Sequence, residues 1–206
     1  MINSSKRQEK RLPPSANKFS YPAFLDLIGK TCVVVGGGRV AQRKCLPLIK
    51  SGAAVTVISP TLTPLLERYK RDGLIIHKKR GYEGRDIKTA FLVIAATDSE
   101  ETNEKISRDA MTLQKLLNVV DNPSLCNFIV PSVVKRGLLT IAISTGGASP
   151  SMAKAIRKEL EQLYGPEFSR YLRVIKKIRS KAMEELPNKK ERERFLKKLI
   201  EKIFRS

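Results

Sequence analysis

Thr31-Cys32-Val33-Val34-Val35-Gly36-Gly37-Gly38-Arg39-Val40-Ala41 is the stretch that decides the fold class. Its first five residues are mostly β-branched or small and show no polar alternation, which predicts a strand buried on both faces within a parallel sheet. The six that follow fit G-x-G-x-x-G/A, with Gly36, Gly38 and Ala41 at the small positions. The first glycine permits a tight turn out of the strand, the second lets backbone N–H groups approach a pyrophosphate, and the third small residue lets helix pack on sheet. From Val40 to Ser51 the pattern turns helical, with Val40, Leu46 and Ile49 on the apolar side and Gly52 where a C-terminal cap belongs. An anion is favoured over the start of such a helix, because its first N–H groups are unpaired and its dipole points there.

The same alternation extends outward. Ala54–Ile58 is a second buried strand, and strand, helix, strand in about 30 residues is a right-handed βαβ unit. A helix over Thr63–Asp72, strands over Leu74–His77 and Phe91–Ala96, a helix over Glu100–Gln114 and a strand over Leu116–Val120 continue it. The class is therefore α/β, a Rossmann-like doubly wound parallel sheet. After Asn122 the character changes: Phe128–Val134 and Leu138–Ile143 read as two strands joined through Lys135-Arg136-Gly137, a small separate unit of the kind that often makes oligomer contacts. From Ser149 onward the chain is helical, interrupted at Gly165-Pro166 and Pro187-Asn188, with a narrow apolar stripe amid dense charge. The organisation expected is a disordered basic arm over 1–18, a dinucleotide-binding domain over 19–124, a dimerisation and substrate unit over 125–165, and a C-terminal helical domain over 166–206.

The formal charge of +20 on 206 residues narrows the partners. Residues 151–206 alone carry seventeen Lys and Arg against eight Glu. Such a field attracts polyanions, either nucleic acid or a small molecule rich in carboxylates, although charge runs are often solvated faces and a basic proteome or growth at high temperature loads surfaces the same way. A nucleic-acid-binding protein or NAD-binding regulator would present a helix-turn-helix or an aromatic-lined basic face. Neither is evident, and the basic residues spread around the last helices. Cys32, Cys45 and Cys126 are odd in number and form no C-x-x-C pair, so all three are expected reduced and buried. His77, the single histidine, falls on a predicted strand and reads as structural, which leaves no set of ligands for a permanent metal. No apolar run is long enough to span a membrane and the opening residues lack the apolar segment of a secretory signal, so a cytoplasmic protein is expected.

Candidate cofactor contacts fall at the strand ends. Gly36, Gly37, Gly38, Arg39 and Val40 form the loop, and Thr97 and Asp98 follow the strand over Phe91–Ala96. The second strand should end in Asp or Glu to hold the adenosine ribose, yet it ends Ile58-Ser59-Pro60, leaving Ser59 and Pro60 to line that end. No Arg follows within a few residues to take a 2′-phosphate, which favours NAD over NADP. Asp98 also suits the N-cap of the helix at Glu100, and that reading is the better one. Asp121, ahead of Asn122-Pro123, is either a turn residue or a carboxylate placed to accept a proton, and the residues alone leave both open. Ser144-Thr145-Gly146-Gly147-Ala148-Ser149-Pro150 enters a helix with Ser149 as cap. A plain capped start leaves its paired glycines unexplained, whereas a loop offering free N–H groups to an anion, backed by Lys154, Arg157 and Lys158, accounts for them.

Five motifs in order carry a resemblance: Val34-Val35-Gly36-Gly37-Gly38, Ala95-Ala96-Thr97-Asp98 with Asn103, Asn118-Val119-Val120-Asp121, Phe128-Ile129-Val130-Pro131-Ser132, and Ser144 to Pro150. From about residue 21 to 165 the chain resembles the dehydrogenase module of siroheme synthases. The resemblance implies NAD-dependent oxidation of precorrin-2 to sirohydrochlorin by a homodimer, with no nucleic-acid or membrane partner. It gives Asp121 the place of the family's proposed acid/base carboxylate, and it makes Asn103, Ser132, Thr145, Gly146, Gly147, Ser149, Lys154 and Arg157 substrate contacts. Some members also insert ferrous iron, a step these residues leave open. Residues 166–206 are too few for the methyltransferase domain that some relatives carry.

Overall fold

The structure is a computed structural model and describes residues 21–204. The basic arm expected over 1–18 lies outside the described residues. Contacts divide the described residues into two compact units, with the boundary between Val130 and Pro131. The strand pair and all three C-terminal helices thus share one unit, where the sequence suggested two, and the boundary falls after Val130.

Five strands build the first unit: β1 (Thr31–Val35), β2 (Ala54–Ile58), β3 (Ile75–Lys78), β4 (Leu92–Ala95) and β5 (Leu116–Val119). They are all parallel, in the order β3-β2-β1-β4-β5, which places the reversal of strand order beside β1. Val35 pairs with Ile58 and Ala95, Ile58 with Lys78, and Ala95 with Val119, so all five carboxyl ends stop level at one edge. In a doubly wound sheet that edge, at the reversal, is where ligands bind.

Strand alternation divides β1 between two cores. Cys32 and Val34 face α1 (Arg39–Lys50) and α2 (Pro64–Arg71), while Val33 and Val35 face α3 (Glu100–Thr112) through Ile106 and Ala110. Both faces are covered, so the strand needs no polar alternation, and each fully buried Val contributes roughly 1.5–3 kcal/mol. The buried positions of α1 are Ala41, Cys45 and Leu48, not the Leu46 expected inside, which is 38% exposed. Small residues at 41 and 45 let the helix lie close on the sheet, and that close approach outweighs the larger side chain at 46. Gly52 takes φ +76 after the Ser51 cap and donates to the Ile49 carbonyl, as the sequence suggested.

Two polar clamps hold the connection between β3 and β4. The fully buried Asp86 carboxylate accepts from Lys78 Nζ at 2.9 Å, Arg80 Nη1 and Nη2 at 2.8 and 2.6 Å, and the Glu83 N–H at 2.9 Å. Tyr82 donates its hydroxyl to Asp109 of α3 at 2.9 Å. Burial alone would push the Asp86 carboxyl up, but the bonds from Arg80, Lys78 and the Glu83 amide hold it well below the usual carboxylate range. A depressed folded value means stability that is present above the unfolded carboxyl's value of about 4 and is lost as pH falls below it. Asp86→Ala is expected to cost about 3 kcal/mol at neutral pH, near the low end for a broken buried pair because both cations can turn to water. In denaturant titrations the gap between wild type and variant should close as pH is lowered through about 4. A gap constant down to pH 3 would mean the carboxylate's charge contributes nothing.

In the second unit β6 (Ser132–Arg136) and β7 (Leu139–Ile143) form an antiparallel hairpin, followed by α4 (Pro150–Leu163), α5 (Glu167–Glu185) and α6 (Lys189–Phe204). Gly137 has φ +60 at the first of two turn residues and Leu138 has a negative φ, the pattern of a type II′ turn. The first strand begins at Ser132 instead of Phe128. Asn127 and Phe128 instead donate their N–H groups to the Leu117 carbonyl of β5, so that segment seals the sheet edge. Arg136 reaches the Glu161 and Tyr164 carbonyls, satisfying groups the last turn of α4 leaves unpaired. Among the described residues no helix is long and apolar enough to cross a membrane.

Candidate functional site

The glycine loop emerges from β1 under three constraints. Gly36 has φ +120, and a Cβ there would sit 2.2 Å from the Ala96 carbonyl oxygen, so neither the conformation nor the space admits a side chain. Gly37 is the surprise, since the motif leaves its position free. A Cβ there would lie 1.9 Å from the Thr61 carbonyl oxygen and 2.7 Å from Ser59 Oγ, and its own carbonyl accepts from Thr63 N–H at 3.0 Å. At Gly38 a Cβ would meet nothing within 4 Å. Its smallness answers no neighbour among the described residues and leaves the approach to α1 open, as a bound pyrophosphate requires.

Gly38 is the N-cap of α1 with no side-chain cap, and the first turn carries no acidic residue. The N–H groups of Arg39, Val40 and Ala41 therefore have no partner among the described residues. Unpaired donors at the positive end of a helix fit a diphosphate. Next along the edge, Ser59 is buried and accepts at its carbonyl from His77 Nε2, 2.9 Å away when that nitrogen carries the proton. Its N–H donates to the Lys78 carbonyl at 3.2 Å. Pro60 is exposed beside it. On the other side of β1, Thr97 Oγ1 lies 3.1 Å from Asn103 Oδ1, and Asn103 Nδ2 donates to the Thr97 carbonyl at 3.1 Å. Asn103, expected at the substrate, spends both ends of its amide bracing this turn. Asp98 is exposed and does not cap α3; Ser99 does, accepting from the Thr102 N–H at 3.2 Å. The helix does begin at Glu100, so the capping position is the residue immediately before it, Ser99, and Asp98 lies one residue too early.

Asp121 follows β5, two strands from β1, and is exposed at φ +59. Among the described residues its carboxylate has no hydrogen bond or ion pair. The bond expected of a turn aspartate is made next door, where Ser124 Oγ donates to Asn122 Oδ1 at 2.6 Å. The scaffold beneath it is closely bonded. Cys126 Sγ accepts from the Val119 N–H at 3.1 Å, Asn127 Oδ1 from the Leu117 N–H at 2.7 Å, and buried Asn118 donates to the Phe128 carbonyl at 3.2 Å. Asn127 and Cys126 thereby serve an edge strand that would otherwise present open donors.

Lys44 was not singled out by sequence. It stands on α1 three residues after Ala41 and one before Cys45, and it is half-buried. Burial lowers its amine, Arg43 lowers it further, and the charges of Asp121 and Cys126 oppose them. A lysine among the small buried positions of a helix is the signal that could have found it. Cys32 and Cys45 are ruled out as nucleophiles, since burial pushes their thiols up to about 11 and about 12. Cys126 is half-buried, not buried as expected.

The remaining candidates belong to the second unit. Ser132 opens β6. In the loop before α4, Gly146 and Gly147 have φ +62 and +88, and a Cβ at either would meet nothing within 4 Å, so backbone conformation is what selects glycine. Thr145 Oγ1 accepts from the Ser149 N–H at 3.2 Å, Ser149 Oγ from the Met152 N–H at 3.2 Å, Ser144 Oγ from the Gly146 N–H at 3.1 Å, and the Thr145 carbonyl from the Ala148 N–H at 3.0 Å. The loop is thus largely self-satisfied and offers fewer free donors than its sequence suggested. Arg157 pairs with Glu161 one turn along, whereas Lys154 is exposed with no ion pair among the described residues. No group of three or more His, Cys, Asp or Glu is gathered as a metal site among the described residues.

A family model described as putative NAD(P)-binding matches residues 23–132, and one described as sirohaem biosynthesis protein central matches residues 136–163. The siroheme synthase of Thioalkalivibrio sulfidiphilus is 40% identical over 181 residues, covering 88% of this chain and 37% of that protein. That of Methylobacillus flagellatus is 44% identical over 149 residues, covering 72% of this chain and 32% of that protein. The chain therefore spans well under half the length of these relatives. Among solved structures, SirC, a precorrin-2 dehydrogenase, matches with a TM-score of 0.77 at 30% identity, over 88% of this chain and 89% of its own.

Proposed function

The chain belongs to the family that joins SirC to the NAD-binding part of siroheme synthases, and we propose that it oxidises precorrin-2 to sirohydrochlorin, with Asp121 as the proton acceptor. The observation that carries the reading is the placing of two unsatisfied groups on one sheet edge: the bare N-terminus of α1 after β1, and the unpaired Asp121 carboxylate after β5. Gly36, Gly37, Gly38, Arg39 and Val40 would hold the diphosphate of NAD, Ser59 and Pro60 would line its adenosine end, and Thr97 and Asp98 would flank the β4 side. Bound NAD supplies a hydride acceptor. Oxidation removes a hydride and a proton from the tetrapyrrole, and the Asp121 carboxylate takes the proton. Lys44 of α1 is half-buried within reach of that carboxylate's charge, which opposes the lowering of its amine by burial and Arg43.

Substrate recognition is assigned to Ser132, Thr145, Gly146, Gly147, Ser149, Lys154 and Arg157, with Asn103 acting through Thr97. Lys154 is the member of this set with an uncommitted charge for a substrate carboxylate. The working form is a homodimer. Among the described residues of the second unit, only Val134, Ala153 and Ala182 of the apolar side chains are buried, while Leu138, Leu163, Val174 and Met183 are between 49% and 66% exposed. Apolar surface of that kind marks an association face. Sedimentation is expected to give twice the 23.1 kDa chain mass at micromolar concentration, and a monomer would remove the dimer from the account. Three free thiols suit a reducing compartment, and the cytoplasm is assigned on that ground.

The test is anaerobic incubation with precorrin-2 and NAD, following the tetrapyrrole spectrum. Conversion to sirohydrochlorin that requires NAD supports the reaction. A chain that binds NAD and leaves the precorrin-2 spectrum unchanged keeps its fold and loses this function.

A further inference from the structure

The adenosine end of the proposed NAD site contains a contradiction between charge and selectivity. The end of β2 has no carboxylate to repel a 2′-phosphate, and the residue there is Ser59. β3 pairs with β2 residue by residue, Ile58 opposite Lys78, and the Ser59 N–H donates to the Lys78 carbonyl. Lys78 and Arg80 therefore stand at the strand end adjoining the place where a 2′-phosphate would sit. A nearby Arg is what accommodates that phosphate in NADP-binding sheets. On a chain with a formal charge of +20, two such cations would favour NADP by default.

Neither head group is free. Lys78 Nζ and both terminal nitrogens of Arg80 donate to the Asp86 carboxylate, at 2.9, 2.8 and 2.6 Å. Asp86 is fully buried at its side chain and comes from the short 3₁₀ segment Gly84–Ile87, whose Ile87 is packed in the core beneath β1 and β4, so the acceptor cannot follow a departing cation. Glu83 adds a second carboxylate, 3.7 Å from Arg80 and 2.5 Å from Arg85. We infer that Asp86 is a specificity-determining residue for the dinucleotide: by holding Lys78 and Arg80 it denies a 2′-phosphate its partners at the end of β2 and keeps the site to NAD. Selectivity then comes from withholding attraction, and not from the carboxylate at the end of β2 that such sites ordinarily use. Releasing the bidentate Arg80 would strip two of the four hydrogen bonds from a buried carboxylate, which is why the phosphate cannot recruit it.

The inference rests on the dinucleotide reading above but not on the identity of the second substrate, so its test measures nucleotide binding alone. NADH and NADPH are titrated against the full chain by nucleotide fluorescence. Wild type is expected to bind NADH at least tenfold tighter than NADPH. Asp86→Asn, nearly the same shape without the charge, is expected to gain tenfold or more toward NADPH while NADH stays within about threefold, and adding Arg80→Gln to it should return most of the gain. Should Asp86→Asn fail to fold, Lys78→Gln and Arg80→Gln in the wild-type background decide the matter. Unchanged NADPH affinity in both supports sequestration, and a fall in either shows that the cations already serve the phosphate and overturns it. Equal affinity of the wild type for the two nucleotides also overturns it, while leaving precorrin-2 oxidation untouched. A chain that prefers NADH but does not oxidise precorrin-2 has the opposite consequence.

Discussion

Asp121→Asn is expected to lower the rate of precorrin-2 oxidation by about 10²- to 10⁴-fold, the range a positioned acid/base group contributes, while NAD binds as before. Asparagine is the right replacement because of the backbone. Asp121 sits at φ +59, a left-handed conformation that Asp and Asn adopt readily and that costs most other residues roughly 1–2 kcal/mol. Asp121→Ala would confound the loss of a base with a shift of the strand end. The unpaired carboxylate also means that nothing in the described structure loses a partner on substitution, so melting temperature should hold within about 2 °C. If the variant turned over at the wild-type rate, Asp121 would be a turn residue and no more. If it lost NAD binding as well, its role would lie in shaping the sheet edge.

Gly37→Ala and Gly38→Ala are expected to fail in different ways, although they are neighbours in one motif. At Gly37 a methyl group would stand 1.9 Å from the Thr61 carbonyl oxygen, and backbone cannot swing aside as a side chain can. The loop or the segment after β2 must move, at a cost of about 3 kcal/mol. That corresponds to a fall in melting temperature of roughly 10 °C for a chain of this size, with NAD affinity down tenfold or more because Ser59 moves too. At Gly38 the added methyl meets no protein atom and φ is −81, which alanine adopts freely. The cost there is that of a poorer N-cap, about 1 kcal/mol, with a melting temperature lower by roughly 3 °C. NAD affinity should nonetheless fall at least tenfold, since the methyl occupies the diphosphate's approach. Thermal melts with and without NAD separate the two. A Gly38→Ala chain that NAD still stabilises as well as it does wild type would place the diphosphate elsewhere.

These two glycines show where sequence reading stops. The motif and the buried run before it gave the strand, the turn and the helix, because backbone needs of that kind are written in residue type. The parallel, doubly wound class followed from the same alternation, whereas the order β3-β2-β1-β4-β5 is set by which strands pair in the folded sheet. What position 37 must avoid is a carbonyl 24 residues away, and no local pattern carries that. The edge-sealing role of Asn127 and Cys126, which shortened the predicted strand at Phe128, is equally a matter of tertiary contact. So is Asn103, whose amide is visible in the sequence while its use on Thr97 is not. Asp98 and Ser99 are both good capping residues in adjacent positions, and only the exact first residue of α3, Glu100, decides for Ser99. Asp121 was legible as a candidate from its place after a buried strand. That its carboxylate is left free, while Asn122 supplies the turn's own hydrogen bond, depends on which side chain the folded turn brings to Ser124.

The most direct test of the account is the stoichiometry of a single anaerobic turnover. Precorrin-2 is mixed with excess enzyme and NAD, NADH is read at 340 nm, and the sirohydrochlorin formed is counted in the same sample. The account predicts one NADH for each precorrin-2 consumed, with both appearing together and both slowed in Asp121→Asn. Sirohydrochlorin without NADH, or bound NAD with precorrin-2 left intact, would contradict it.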